Sequence, residues 1–312
     1  MIEINKIPKL SIKNLQSIKD LSVQDINSII NTAKLFKYNN KEKDKAVPIL
    51  NGRTIINLFF EPSTRTLISF EIAAKRLGAD IINMNLEGSS LRKGETISDT
   101  ADTLNAMNPD LVIVRHATAG SINEISSKIK CPVISAGEGS IEHPTQALLD
   151  AFTMKDKGKN FKDLVVSICG DVEHSRVAKS NYYLLKKLDA KIRFVTPKYF
   201  KPKNIETFDV EYFDNLEKGI ELADIVMMLR IQKERINDAD LPSEDEYFNS
   251  FGLTYKKLLK AKKDVLVMHP GPINRNVEIE SSLADDLNKS VINEQVENGV
   301  AVRMACLAMM VE

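Results

Sequence analysis

Short apolar runs alternate with helical patterns along most of the chain, and this alternation limits the folds open to it. The runs lie at residues 54–60, 79–84, 110–116, 131–135, 164–169, 191–195, 211–213, 224–229 and 264–268. Segments with apolar residues at helical spacing lie between most of them. Strands joined by helices pair in parallel, so the pattern predicts an α/β protein with doubly wound parallel sheets. A length of 312 residues predicts two such Rossmann-like domains.

The domain boundaries follow from the same pattern. We expect residues 1–148 together with 288–312 to form one domain, and residues 149–287 to form the other. Residues 292–310 form an apolar helix that needs a partner surface, and we expect it to pack back on the first domain. We also predict an amphipathic helix over residues 14–36 and a mobile charged loop over residues 232–250.

Charge and cysteine content exclude several classes of protein. Lys+Arg and Asp+Glu each number 43, so the chain lacks the basic excess of a nonspecific nucleic-acid or membrane-surface binder. No apolar run approaches the length of a membrane span, and residues 1–6 lack the start of a secretory signal. Three scattered cysteines in apolar sequence indicate reduced thiols. These features predict a cytoplasmic protein.

Four polar residues stand where the first strand turns into a helix: Ser63, Thr64, Arg65 and Thr66. Free backbone N–H groups and the positive end of the helix dipole meet at such a point. Hydroxyls and a guanidinium at the same point suit a phosphate group. A Ser or Thr that caps the helix beside a solvated Arg explains the four residues equally well.

Other polar residues also follow predicted strands. They are Arg115, His143, Gln146, Arg230, Gln232, Gly271 and Pro272. Because the carboxyl ends of the strands line the ligand crevice of a doubly wound sheet, these residues are expected to converge. Each alone is more often a surface charge or a helix-start residue, but together they predict a ligand with more than one anionic group.

Residues 59–66 (FFEPSTRT) resemble the carbamoyl-phosphate signature of the aspartate and ornithine carbamoyltransferase family. Residues 114–116, 143–146, 230–235 and 269–272 match further motifs in the family's order, so the resemblance runs from about residue 10 to the C-terminus. Thr145, Gly271-Pro272, Lys93 and the pair Arg230 and Gln232 are similar to the aspartate branch. Ornithine enzymes carry Cys in place of Thr145 and a His-Cys-Leu-Pro segment near the last strand.

The resemblance implies that carbamoyl phosphate reacts with the α-amine of L-aspartate, an early step of pyrimidine biosynthesis, in a crevice between the two domains. Implied carbamoyl-phosphate ligands are Ser63, Thr64, Arg65, Thr66, Arg115, His143, Gln146, Gly271 and Pro272, of which Arg65, Thr66, Arg115 and His143 are catalytic. Implied aspartate ligands are Lys93, Arg176, Arg230 and Gln232. No metal or organic cofactor is implied.

The family also implies a homotrimer with shared active sites. Lys93 and either Ser89 or Ser90 would reach the site of the neighbouring subunit. Whether regulatory chains or a dihydroorotase bind the trimer stays open.

Three alternatives compete with this interpretation. A carbamoyltransferase for another amine, such as ornithine, is the closest. A non-catalytic anion-binding subunit of the same fold would lack some of Arg65, Arg115, His143 and Arg230, but all four are present. A P-loop nucleotide enzyme would need a Gly-rich segment ending in Gly-Lys-Ser/Thr, which the sequence lacks.

Overall fold

The structure is a computed structural model that describes residues 7–85, 96–232 and 242–311. The chain divides into two compact units. Unit 1 comprises Met1–Phe152 and Glu297–Glu312, and unit 2 comprises Thr153–Val296. Each unit contains one sheet whose strands all pair in parallel. The predicted fold class is therefore confirmed.

The sheet of unit 1 has the strand order β2-β1-β3-β4. Its strands are β1 (Thr54–Phe59), β2 (Asp80–Asn85), β3 (Leu111–His116) and β4 (Val133–Glu138). The helices that begin in this unit before residue 153 are α1 (Val23–Asn39), α2 (Thr64–Arg76), α3 (Ile97–Met107), α4 (Ser121–Lys128) and α5 (Pro144–Asp156).

The sheet of unit 2 has the strand order β7-β6-β5-β8-β9. Its strands are β5 (Val165–Cys169), β6 (Lys191–Val195), β7 (Glu211–Phe213), β8 (Ile225–Met228) and β9 (Leu266–Met268). Its helices are α6 (Arg176–Lys187), α7 (Leu216–Gly219), α8 (Glu244–Phe251), α9 (Tyr255–Leu258) and α10 (Ser281–Ala284). The last helix of the chain, α11 (Ile292–Met310), starts in this unit.

The sheet of unit 1 is buried on both faces, as expected for parallel strands flanked by helices. Ile55 and Leu58 point to opposite faces of β1, and both are at most 1% exposed. One face packs in a cluster that joins the sheet to α3 and α4; its buried members are Ile56, Leu58, Ala101, Leu104, Val112, Val114, Ile122, Ile125, Ile129 and Val133. Residues 301–311 of the C-terminal segment are all buried.

The N-terminal helix begins later than residue 14, so that part of the prediction was wrong. Ser22 and Asp25 form a reciprocal capping box that starts α1 at Val23. Before it, Leu15 pairs with β4: its N–H donates to the carbonyl of Val133, and its carbonyl accepts from Ser135. Pairing with a distant strand overrides the local helical pattern here, because backbone groups buried at Leu15 need partners.

The predicted charged loop over residues 232–250 also contains a helix. Ser243 and Glu246 form a capping box at the start of α8, and Tyr247 and Phe251 are its buried residues. The helix was missed because its apolar residues are few and its first turn is acidic, although acidic residues favour a helix N-terminus. Residues 233–241 lie outside the described part. Among the described residues, no helix has the length and apolar character needed to span a bilayer.

Lys257 holds the C-terminal end of α8. Its Nζ donates to the carbonyl oxygens of Phe248 at 3.3 Å, Asn249 at 2.8 Å and Gly252 at 2.8 Å. The last carbonyls of a helix have no partner within the helix and carry partial negative charge. One ammonium group therefore provides a hydrogen-bond donor for three backbone carbonyl oxygens at the end of α8.

Replacing Lys257 with Met should destabilise unit 2. Hydrogen bonds to charged groups are worth about 1.5–3 kcal/mol, so we expect the free energy of unfolding in urea to fall by about 1–3 kcal/mol. Lys256 is exposed one residue earlier. Lys256→Met is the matched control and should change the free energy by less than about 0.5 kcal/mol. Equal effects of the two substitutions would contradict this role of Lys257.

Candidate active site

Three neighbouring strands of unit 1 end at the same edge of the sheet. Because β1, β3 and β4 are parallel and adjacent, the segments that follow them meet at their carboxyl ends. The strand order reverses between β1 and β3, which is the position where doubly wound sheets bind ligands. Residues 63–66 follow β1, Arg115 is the second-last residue of β3, and His143 follows β4.

The segment Ser63 to Thr66 begins α2. Ser63 occupies the N-cap position in an extended conformation, yet its side chain makes no capping bond within the described structure. Thr64 and Arg65 are exposed, whereas Thr66 is 7% exposed. The simple capping interpretation of Ser63 is therefore wrong, and its hydroxyl is not used to cap the helix. Backbone N–H groups at this helix start suit an anion.

Arg115 is oriented by groups on two other segments of unit 1. It pairs in register with Phe59 of β1 and is 9% exposed. Its Nη1 donates to the carbonyl of Ala136, and its Nη2 lies 2.9 Å from Oε1 of Glu61. The guanidinium is thus held at the edge of the sheet beside the start of α2.

His143 directly precedes α5, and Gln146 lies in the first turn of this helix. Pro144 occupies the first helical position, where its missing N–H costs nothing. The carbonyl of His143 accepts from the N–H of Gln146 at 2.9 Å, which fixes this turn. Both side chains are buried, at 5% and 8% exposure. An imidazole and a carboxamide therefore stand at the same edge of the sheet as Arg115.

The sheet of unit 2 also carries polar residues at the carboxyl ends of its strands. Its strand order reverses between β5 and β8. Arg176 begins α6 after β5 and is 5% exposed, and Arg230 follows β8 and is partly buried. Two cations at one carboxyl edge favour a ligand with carboxylate groups.

Gln232 is held by residues that follow β5. Its N–H donates to Oδ2 of Asp171 at 3.3 Å, and its Nε2 donates to the carbonyl of His174 at 3.2 Å. Asp171 also lies 2.9 Å from Nδ1 of His174. Burial raises the pKa of Asp171, while the charge and hydrogen bond of His174 act in the opposite direction.

Gly271 and Pro272 lie in the turn after β9, joined by a cis peptide bond. The N–H of Gly271 donates to Nδ1 of His269 at 2.8 Å. The other ring nitrogen, Nε2, therefore carries the proton and donates to Oε1 of Glu278 at 3.2 Å. Both side chains are completely buried. The buried pair of His269 and Glu278 therefore stabilises the turn that contains Gly271 and Pro272.

Lys93, Ser89 and Ser90 lie outside the described residues. The structure therefore places twelve of the thirteen predicted site residues, in two groups. Ser63, Thr64, Arg65, Thr66, Arg115, His143 and Gln146 gather at the sheet edge of unit 1. Arg176, Arg230, Gln232, Gly271 and Pro272 gather at the sheet edge of unit 2.

Both parts of the chain match family models. Residues 13–156 match the aspartate/ornithine carbamoyltransferase carbamoyl-P binding domain, and residues 162–310 match the aspartate/ornithine carbamoyltransferase Asp/Orn binding domain. The chain belongs to the aspartate/ornithine carbamoyltransferase family. It is 54% identical to the aspartate carbamoyltransferase catalytic subunit of Pelagibacter ubique over 99% of both chains. It is 53% identical to that of Parvibaculum lavamentivorans, over 95% of this chain and 90% of the relative.

Solved structures from both branches of the family share the fold. An aspartate transcarbamoylase from Trypanosoma cruzi, in complex with carbamoyl phosphate and aspartate, matches with a TM-score of 0.88 at 29% identity over 98% of this chain and 100% of that chain. An ornithine carbamoyltransferase from Pyrococcus furiosus matches with a TM-score of 0.86 at 28% identity over 96% of this chain and 97% of that chain. The fold alone therefore does not distinguish the two acceptors.

Sequence reasoning missed the residues that hold the predicted ones in place. Asp171 follows β5 and could have been found by the rule that located Arg115. Glu61 lies inside the quoted motif, but its pairing with Arg115 depends on the adjacency of two strands. Glu278 carries no local signal for its contact with His269, because the contact depends on how the chain returns after β9.

His116 lies next to Arg115 and has a depressed pKa. Partial burial lowers its pKa below 6.5, although the nearby carboxylates of Glu138, Glu61 and Glu124 oppose the shift. Its Nδ1 accepts from the N–H of Thr118 at 2.9 Å, a bond that requires the unprotonated nitrogen. The folded state therefore favours neutral His116.

This depressed pKa should make stability fall as the pH drops. Below pH 6.5 the unfolded chain binds a proton at His116 more readily than the folded chain does, so the free energy of unfolding decreases between pH 7 and pH 5. In His116→Asn, whose amide oxygen can accept from Thr118, the decrease should be smaller. Urea unfolding at the two pH values measures it, with pH 8 as the internal control. An equal decrease in both proteins would refute the expectation.

Proposed function

We propose that this chain transfers the carbamoyl group of carbamoyl phosphate to the α-amine of L-aspartate, and so forms N-carbamoyl-L-aspartate and phosphate. One observation carries the proposal. Arg115, His143 and residues 63–66 lie together at the carboxyl edge of the unit 1 sheet, where the strand order reverses between β1 and β3. It is supported by relatives that are 53–54% identical over nearly the whole chain and are named aspartate carbamoyltransferase catalytic subunits.

The phosphate is assigned to the start of α2. Ser63, Thr64, Arg65 and Thr66 offer hydroxyls, one guanidinium and free backbone N–H groups, and the helix dipole favours the negative charge. Arg115 adds a second guanidinium from the neighbouring strand, already oriented by Ala136 and Glu61. The same groups then stabilise phosphate as the leaving group.

The carbamoyl carbonyl is assigned to Arg115, His143 and Thr66. Attack by the amine turns this carbonyl oxygen into an oxyanion, and the bond from carbon to the phosphate oxygen then breaks. Donors held in place before the reaction stabilise the oxyanion without reorganisation. Gln146, in the first turn of α5, is assigned to the carbamoyl NH₂ group.

Aspartate is assigned to unit 2. Arg176 and Arg230 are the carboxylate ligands, and Gln232 is positioned by Asp171 and His174. A cationic ornithine side chain would be repelled by these arginines, so the charge of the edge favours the aspartate branch over its ornithine alternative. Bidentate contacts between Arg and carboxylate add geometric selectivity.

The donors of unit 1 can be tested by substitution. The purified chain should form carbamoyl aspartate and no citrulline. His143→Ala and Arg115→Ala should each lower kcat about 10²–10³-fold, the usual loss for one oxyanion donor. Arg53→Ala removes an exposed arginine that pairs with Asp110 in the same unit, and it should keep full activity. Near-normal turnover of a folded His143→Ala or Arg115→Ala variant would overturn the assigned roles.

We also propose a homotrimer in which Lys93 and Ser89 or Ser90 serve the site of the neighbouring subunit. Lys93→Ala and His143→Ala chains should each be nearly inactive. Their co-assembly should restore activity, because a subunit with intact His143 then borrows Lys93 from its neighbour. Native mass measurement should give three times the mass of one chain, or more if other subunits bind. A monomeric mass, or mixed chains as inactive as their parents, would contradict the proposal.

A further inference from the structure

The carboxamide of Gln146 is held in one orientation by Asp150. The two residues lie one turn apart on α5, and Nε2 of Gln146 donates to Oδ1 of Asp150 at 2.9 Å. An ionised carboxylate can only accept hydrogen bonds, so the NH₂ end of the amide must face Asp150. The carbonyl oxygen of Gln146 is then presented on the opposite side.

Asp150 is completely buried, so its charge needs compensation. Arg303 of α11 belongs to the same unit, is 4% exposed and interacts electrostatically with Asp150. Its Nη1 donates to Oγ of Ser69 at 2.8 Å, and its guanidinium lies 5.1 Å from the ring centre of Phe70. These contacts anchor the guanidinium against α2.

Arg303 stays charged at neutral pH in this position. Burial lowers its pKa to about 10, and the positive charge of Arg115 acts in the same direction, whereas Cys306 and Asp150 oppose the shift. A buried charge that lies near an opposite charge keeps its ionised form more readily than an isolated one does. Arg303 therefore contributes a positive charge that acts on Asp150.

We propose that Asp150, through its hydrogen bond with Gln146, is a positioning residue that makes unit 1 select acyl phosphates by their acyl group. Its carboxylate keeps the carbonyl oxygen of Gln146 turned toward the ligand, where it accepts from the NH₂ of a carbamoyl group. Acetyl phosphate presents a methyl group at that place and gains nothing from the oxygen. The inference rests on the proposed function, which assigns Gln146 to the carbamoyl NH₂.

The orientation of the Gln146 amide decides whether the site prefers a carbamoyl group over an acetyl group. A flipped amide would point its own N–H groups at the N–H groups of the ligand, and neither would have an acceptor. Sites built to pair with one polar group reject analogues because buried partners are left unpaired. An amide without Asp150 would adopt both orientations, so the preference for a carbamoyl over an acetyl group would decrease.

Asp150→Asn in the full chain tests the proposal, since Asn retains the shape and can pair with either end of the Gln146 amide. We expect KM for carbamoyl phosphate to rise about tenfold or more, while the inhibition constants of acetyl phosphate and inorganic phosphate change less than about twofold. Asp156→Asn, at the exposed end of the same helix, is the control and should leave all three constants unchanged. If Asp150 only stabilised the core, the three constants would move together; that result, or no change at all, overturns the proposal.

A second measurement does not depend on the folding of a variant. Neutron diffraction from crystals of the wild-type chain exchanged in D₂O locates the deuterium atoms of the Gln146 amide. We expect ND₂ toward Asp150 and oxygen on the opposite side. The reverse orientation, or a deuterium on Oδ1 of Asp150, overturns the inference. A wild-type chain that forms no carbamoyl aspartate would instead overturn the proposed function and leave the amide orientation as measured.

Discussion

Parallel strand pairing is the constraint on which the arrangement of both units depends. In a parallel sheet every strand ends at the same edge, so residues far apart in sequence meet there when their strands are neighbours. In unit 1 this brings Ser63, Arg115 and His143 together from the ends of three adjacent strands. In unit 2 it does the same for Arg176 and Arg230. Each group lies where the strand order reverses.

Buried charges at these edges are held by partners that sequence motifs do not include. Arg115 is paired with Glu61, Gln146 is bonded to Asp150, and Asp171 joins His174 to Gln232. Each pairing offsets the cost of removing a polar group from water, and each fixes an orientation. Groups held in this way need no reorganisation when a ligand binds, which is the property that the proposed active site requires.

Members of the family share one fold but use different acceptor substrates. Structures of an aspartate and an ornithine enzyme match this chain with TM-scores of 0.88 and 0.86, so the arrangement of elements serves both reactions. Under the proposed function, acceptor choice resides in individual side chains at the carboxyl edge of unit 2. In the proposed function, two arginines there favour a dianionic acceptor over a cationic one, and this argument from charge agrees with the names of two similar curated relatives.

The alternation of apolar runs and helical patterns was enough to predict two parallel α/β sheets, because period and composition are local properties of the chain. The motif at residues 59–66 likewise predicted a strand-to-helix turn, and β1 and α2 confirm it. Boundaries that depend on distant contacts were not predictable: Leu15 pairs with β4 and so lies outside a helix, and α8 begins at a capping box within a charged segment.

Only the tertiary structure decided which side chains hold the site residues. Glu61 reaches Arg115 because β1 and β3 are neighbours, and Arg303 interacts electrostatically with Asp150 because the part of α11 that carries it belongs to unit 1. Neither contact has a sequence spacing that could reveal it. The sequence by itself determined which chemical groups stand at the ends of the strands. Strand order and helix packing determined which of those groups are buried, paired and turned toward a ligand, because desolvation and electrostatic pairing depend on distance in space.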